Sequence, residues 1–412
     1  MDDHAFSDST PVSLFRQRPF ALFWFARVSS TVAFQIQAVA IGWQMYALTG
    51  SAMYLGLVGL AQFLPMFILT LPVGHAADRY DRRAIVRICQ LVEGLAVLLL
   101  AMALFSGRLG KGGILIIVAV IGAARAFEGP SMQSLMPTLV SAELFPRAAA
   151  WSASAMQVAT ILGPAVGGFL YAAGPAVVFI AAGLLYLGSS VLVSMIRVDR
   201  PQSAREPATI KSFFAGIAFI RRRQIILGAI SLDLFAVLLG GATALLPIYA
   251  RDILKTGSMG LGLLRAAPAV GALLMSLLLA RRPLHRRVGR TMFIAVTVFG
   301  IATILFGISR SFALSLGALV LLGGSDVISV VVRSSLVQLQ TPDEMRGRVS
   351  AVNSMFIGTS NQLGEFESGL TAAWLGTVPA VVMGGLGTLV VVALWIRLFP
   401  QLARADTLGK NP

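Results

Sequence analysis

The chain has 412 residues, 57% of them apolar and only 12% charged, with a mean hydropathy of +0.82. A soluble domain carries about a quarter charged residues and a bilayer is crossed by roughly 20 apolar residues as a helix, so this composition excludes a water-soluble protein and leaves no length for a large extramembrane domain. The net charge of +15 does not point to nucleic acid, because most of the 33 basic residues fall in alternate loops and not along one stripe.

In chain order, apolar runs predict helices at 20–48, 52–76, 84–106, 113–138, 148–172 and 176–197, then at 224–250, 258–280, 291–309, 312–338, 348–374 and 378–399. The polar start, MDDHAFSDST, precedes a run too long for a signal-peptide core, so the first run is expected to be a retained anchor. Between the sixth and seventh runs, 198–223 is basic, and its later part, IKSFFAGIAFIRRR, alternates apolar clusters with arginines. It reads either as a surface helix on an anionic membrane face or as a solvated linker that fixes topology. The expected architecture is an all-α membrane protein of twelve transmembrane helices: a six-helix bundle over 1–197, a cytoplasmic linker over 198–223 and a second six-helix bundle over 224–412.

With a cytoplasmic N-terminus, 24 basic residues fall on the inner side, five outside (Arg108, Lys111, Arg251, Lys255, Arg310) and four within helices (Arg27, Arg125, Arg265, Arg333). Positive-inside bias therefore predicts both termini in the cytoplasm, in the inner membrane of a cell. The halves also resemble each other. A shift of 201 sets Glu143 on Glu344, Arg147 on Arg348, Gly122 on Gly323, Gly163 on Gly364 and Gly168 on Gly369. Near the starts of the halves the shift is 206 or 207, and Thr49, Gly50, Leu55 and Gly56 fall on Thr256, Gly257, Leu261 and Gly262. An even number of helices per copy gives both copies one orientation, a parallel pseudo-two-fold repeat of the kind used by rocking transporters.

Three motifs carry chemistry. The segment after the second run holds Gly74, Asp78, Arg79, Arg82 and Arg83, in which glycine permits a tight helix end, the aspartate suits a helix N-terminus and the arginines bridge carboxylates or phosphates. The fourth run contains Arg125, Glu128 and Gly129. The fifth contains Gly163, Pro164, Gly167 and Gly168, small residues and a bend suited to a hinge, an ion-tight seam or plain close packing. On these residues the chain resembles the major facilitator superfamily: GxxxDRxxRR is matched from Gly74 to Arg83, RxxxG from Arg125 to Gly129, and the antiporter-associated GPxxGG from Gly163 to Gly168, with Ala159 in place of the longer pattern's first glycine. The second half, ARRPLHRRVGR, keeps the basic residues of the first motif without its Gly and Asp. Within the superfamily the second half resembles the enterobactin-exporter-like efflux branch. The resemblance implies proton-driven export of a small organic molecule, siderophore- or drug-like, by alternating access, with the first, fourth, seventh and tenth helices lining a cavity.

Nine charged groups fall inside apolar runs: Arg27, Glu93, Arg125, Glu128, Asp233, Asp326, Arg333, Glu365 and Glu367. Each is costly in a membrane unless paired or wet, so they read either as static bridges or as a substrate or proton pathway. Asp233, Asp326, Glu128 and Glu365 are the candidate proton carriers. Gln35, Gln37, Gln44, Asn353, Asn361 and Gln362 add to a wet interior. Arg125 and Asp326 stand 201 apart and Arg27 and Asp233 stand 206 apart. Equivalent positions of a parallel repeat face each other across its axis, so both pairs are expected to meet. Gly347 and Arg348, at the expected start of the eleventh helix, are the expected partners of Asp78 in a gate.

The partners expected are a small-molecule substrate, protons and the lipid bilayer, with the chain a monomer. One cysteine, Cys89, excludes an intrachain disulfide, and His4, His75 and His285 lack metal-ligand spacing, so no metal or other cofactor is expected. A uniporter or importer on the same fold is the nearest alternative. An integral-membrane enzyme lacks a catalytic constellation here, and a channel is usually a symmetric oligomer.

Overall fold

The protein is described from a computed structural model over residues 14–197, 210–284 and 286–407; in its helices the side chains of 70–72, 74–79 and 210–213 lie outside the described residues. The regular structure of the described residues is helical, with no strand among them. The helices are α1 (Arg18–Thr49), α2 (Ala52–Arg79), α3 (Arg82–Phe105), α4 (Lys111–Leu139), α5 (Phe145–Ala173), α6 (Pro175–Ser194), α7 (Ile210–Arg222) and α8 (Gln224–Leu239). A single turn, α9 (Leu246–Ile248), precedes α10 (Gly257–Arg281), α11 (Val288–Ile308), α12 (Phe312–Gln340), α13 (Asp343–Leu375), α14 (Thr377–Leu398) and the short α15 (Pro400–Ala403). Among the described residues, ten spans are long and apolar enough to cross a membrane. The other two long helices are more polar: α1 carries glutamines, serines and arginines, and α13 carries asparagines and carboxylates as well.

Three elements differ from the sequence expectation. The run at 224–250 is not one helix: α8 stops at Leu239, and a 3-10 turn (Ala242–Leu245), α9 and a π turn (Tyr249–Ile253) follow. Gly240 and Gly241 cause the break, for a Cβ on Gly241 would come within 2.6 Å of the Gly364 carbonyl oxygen, and Pro247 cannot donate to a continuing ladder. Second, α2 runs unbroken to Arg79, so Gly74 and Asp78 stand in a helix instead of a loop. Third, α13 begins at Asp343, so Gly347 and Arg348 lie a full turn inside it, where their N–H groups belong to the helical ladder. The basic stretch before Arg223 is a helix, α7, which packs on α13: a Cβ on Gly216 would lie 2.9 Å from the Arg348 carbonyl oxygen.

α1 packs on α5 and α6, α2 on α4, and α3 on α4 and α6; later in the chain α12 packs on α10 and α11, and α14 on α8 and α11. The two groups meet mainly along α5–α10 and α2–α13. Both seams are glycine contacts. A Cβ on Gly262 would lie 3.1 Å from the Gly168 Cα, and one on Gly369 would lie 2.5 Å from the Gly56 Cα, so neither backbone approach tolerates a side chain. The largest apolar cluster joins the groups near one end, where Ile41, Met45, Leu245, Tyr249, Leu261 and Leu264 are buried together.

Candidate functional site

A cavity of about 240 Å3 lies between the two groups. α1 contributes Phe34, Gln35, Gln37, Ala38 and Ile41 to its wall, α2 contributes Leu55, Val58 and Gln62, and α4 contributes Val118 and Ile121. The break after α8 turns Thr243, Ala244, Leu246 and Pro247 into it, and Arg265 of α10 and Gln362 and Glu365 of α13 complete the polar side. Thus α1 and α13 each turn two polar side chains, Gln35 and Gln37, and Gln362 and Glu365, toward the cavity. Arg265 and Glu365 sense each other electrostatically but form no ion pair. Three buried polar atoms of the wall have no hydrogen-bond partner: Gln37 Oε1, Gln362 Oε1 and Arg265 Nη1.

Of the other charges expected within helices, Glu367 accepts from Thr371 of its own helix at 2.8 Å, and the rest form two clusters outside the cavity lining. In the first, Gln90 donates to Glu128 Oε1 at 2.8 Å, Arg125 lies 3.7 Å from Glu128 Oε2, and the Arg125 guanidinium stacks 3.8 Å from the centre of the Phe34 ring. Glu93 and the Tyr186 hydroxyl are buried beside Arg125 without hydrogen-bond geometry, and Arg27 lies within electrostatic reach of Glu128. Phe34 is therefore the partition between this cluster and the cavity. In the second cluster Arg333 pairs with Asp233, whose other oxygen accepts from Ser329 at 3.5 Å. Asp326 shares with Asp233 a separate pocket of about 10 Å3, room for about one water.

The two cross-axis pairs expected from the repeat are therefore not formed. Arg125 meets Glu128 and not Asp326, Asp233 meets Arg333 and not Arg27, and α12 does not reach the cavity wall. A sequence offset says nothing of rotation about a helix, and a few degrees per residue send a side chain to a different neighbour. Equivalent positions do face each other at one place. Tyr46 and Asp252, also 206 apart, meet where α1 meets the π turn: the Tyr46 hydroxyl donates to Asp252, and Arg251 donates to the Tyr46 carbonyl at 3.4 Å. This contact closes the end that the basic-residue count predicts to face outside.

At the opposite end, Arg82 and Arg83 serve the first group alone. Arg82 donates to the Ser134 carbonyl at 3.2 Å, and Arg83 donates to the Ile196 carbonyl at 3.1 Å while pairing with Asp81 at 2.9 Å. Partial burial pushes the Asp81 pKa up, but the Arg83 side chain and backbone N–H more than reverse this and hold it below the usual carboxylate range. The gating side chains expected at Asp78 and Arg79, and the surroundings of Gly74, lie outside the described residues. The first turn of α13 already holds Asp343 and Glu344, with Asp343 paired to Arg346 at 2.6 Å, so its dipole is answered from within the chain. Gly347 has open space around its Cα, and Arg348 is exposed.

The GPxxGG segment is a packing junction. A Cβ on Gly163 would meet Gln35 Cβ at 2.5 Å and one on Gly167 would meet Ile36 Cα at 2.8 Å, both on α1, whereas Gly168 and the Pro164 carbonyl face Gly262 on α10. Pro164 also lines the cavity. Sequence reasoning passed over two features of the site. Arg265 was counted among the basic residues within helices but not as a site residue, although LGLLRAAPAV isolates it in an apolar run; and the Gly240–Gly241 pair followed by Pro247 signalled the break that shapes one wall.

The transmembrane secretion effector family, of the major facilitator superfamily, matches residues 9–412. Macrolide efflux protein A of Streptococcus pyogenes is similar over 406 residues at 25% identity, covering 94% of this chain and 97% of the relative. The enterobactin exporter of Escherichia coli O1:K1 / APEC is 24% identical over 396 residues, covering 95% of each. Among solved structures, an inward-facing, occupied bacterial homolog to the human lysosomal transporter Spinster aligns with a TM-score of 0.75 at 13% identity, over 95% of this chain and 99% of the other. An inward-facing bacterial homologue of the iron transporter ferroportin aligns at 0.70 and 18% identity, over 95% and 100%. At these identities the structural likeness speaks for the fold.

Proposed function

The chain belongs to the transmembrane secretion effectors of the major facilitator superfamily, a family of multi-pass membrane transporters and not of enzymes, and from that premise we propose that it exports a small organic molecule across the cytoplasmic membrane in exchange for protons, by alternating access. In this reading twelve helices cross the membrane as two six-helix bundles, 1–197 and 224–412, joined by a cytoplasmic linker over 198–223, with both termini inside and the monomer as the working unit. α1, 32 residues long, and α13, 33 residues long, have ample length to span, and each gives polar side chains to the cavity wall.

The repeat is supported by where its matched glycines sit. Gly56 and Gly262 are counterparts, as are Gly168 and Gly369, and the two seam contacts, Gly168–Gly262 and Gly56–Gly369, are each other's images. Gly50 and Gly257, also counterparts, carry φ of 58° and 69° at matching helix junctions. The closed Tyr46–Asp252 end supports an inward-facing state, and Asp326 is the carboxylate best suited to carry the proton. The second cluster holds two carboxylates against one arginine, and Asp326 is the member without its own ion pair, beside room for about one water. Protonating it removes a charge and changes which bundle arrangement is favoured.

The observation that carries export is the cavity between the bundles, closed at one end, in a chain whose curated relatives are efflux proteins along nearly their whole length. The purified protein in proteoliposomes loaded with a pH-sensitive dye tests it. Addition of a transported compound should drive saturable proton movement that an imposed pH gradient reverses. Non-saturating flux indifferent to the gradient contradicts it.

A further inference from the structure

The cavity wall is chemically unfinished in a specific way. Arg265 offers an unpartnered N–H, while Gln37 Oε1 and Gln362 Oε1 are buried acceptors without donors. Gln37 is only 2% exposed, so water does not readily satisfy it from outside the cavity. Glu365 faces the same space from α13, held against α2 where a Cβ on Gly59 would come within 3.0 Å of its carboxylate oxygen. Two opposite charges that border one cavity without pairing, flanked by orphaned acceptors, are costly unless something bridges them. The rest of the lining includes an apolar set, Phe34, Leu55, Val58 and Ile121, on α1, α2 and α4.

We propose that this cavity recognises an amphoteric small molecule: an acidic group on Arg265, an ammonium or other N–H donor on Glu365 and the two glutamine carbonyls, and an apolar or aromatic body against Phe34, Leu55, Val58 and Ile121. This rests on the cavity being the transported compound's site, as inferred above. The volume of about 240 Å3 sets the size in this conformer just below the roughly 300–1,000 Å3 of pockets for drug-sized ligands. A purely cationic compound leaves Arg265 unanswered and meets its like charge. A purely anionic one leaves Glu365 and both acceptors unanswered.

The test uses a matched fluorescent series on the full-length purified protein: 2-naphthylalanine as zwitterion, its N-acetyl derivative as anion and its amide as cation. The zwitterion should bind saturably and roughly tenfold or more tighter than either singly charged form, the size of one lost charge-assisted hydrogen bond. Arg265→Gln should weaken the zwitterion and the anion by roughly tenfold to a hundredfold and spare the cation, and Glu365→Gln should do the reverse. Arg265→Lys keeps the cation and should retain part of the anion's affinity. Equal binding of the three forms, preference for a singly charged one, or no saturable binding of any overturns the ligand class. Because the ranking is read on the wild-type protein, it stands even where a variant fails to fold. Proton flux with other compounds would leave the exporter reading intact while the ligand class fell.

Discussion

At the seams Gly168 meets Gly262 and Gly56 meets Gly369, and exchanging each glycine for its counterpart turns one contact into the other. At the charge clusters the same offsets exchange Arg125 for Asp326 and Arg27 for Asp233. Seams are a demand on backbone approach, met identically on both sides by the absence of a side chain. Coupling needs the opposite, a site that gains or loses a charge when its counterpart does not. The first cluster sets two arginines, Arg27 and Arg125, beside two carboxylates, Glu93 and Glu128, whereas the second sets the single Arg333 beside Asp233 and Asp326. On the proposed function, the molecule is symmetric where it would rock and asymmetric where it would respond to a proton.

Breaking the asymmetric side should have the largest effect. Arg333→Met leaves Asp233 buried without its cation, and about 3–5 kcal/mol of stability should be lost in thermal unfolding followed in detergent. Adding Asp233→Asn should recover much of that loss, since removing both members of a buried pair is far gentler than removing one. The symmetric side should break evenly. Gly168→Ala and Gly369→Ala each force a Cβ onto backbone and should each cost about 1–3 kcal/mol, with flux falling in parallel. Clearly unequal costs would undo the seam equivalence.

A smaller change sharpens the comparison at the axis itself. Tyr46→Phe removes the hydroxyl that Asp252 accepts, weakening the closed end by about 1–2 kcal/mol and raising the outward-open fraction in single-molecule distance measurements. Smallest, and of opposite sign, is Gly347→Ala. Its Cα has open space inside α13, so helix propensity should add up to about 1 kcal/mol and flux should be unchanged. Impaired transport in that variant would restore Gly347 to the gate.

What the sequence disclosed follows the physics of each signal. Hydropathy located the long helices to within a few residues because burial in lipid is written into every position. Most matched glycines lie at close contacts, and Gly50 and Gly257 instead take positive φ, because a glycine's requirement is local. Rotation about a helix is set by packing partners far along the chain, so in place of the expected Arg125–Asp326 and Arg27–Asp233 pairs the structure has Arg125–Glu128 and Arg333–Asp233. The break after α8 was written in Gly240, Gly241 and Pro247 but masked by an apolar run that reads as one helix. Arg265 was visible as a charge in an apolar run, yet its importance came only from the cavity it borders.

The most direct test of the account is distance measurement by electron spin resonance in nanodiscs. Spin labels are placed at the exposed counterparts Glu143 and Glu344 for the cytoplasmic side and at the exposed Arg108 and Arg310 for the outer side. A proton carried inward must favour closure outside, so acid should shorten the outer distance and lengthen the cytoplasmic one, and alkali should reverse both. Asp326→Asn, which mimics the protonated form, should hold the acid pattern at every pH. Distances that ignore pH in the wild type, both pairs lengthening together, or an Asp326→Asn variant that still switches would contradict the account.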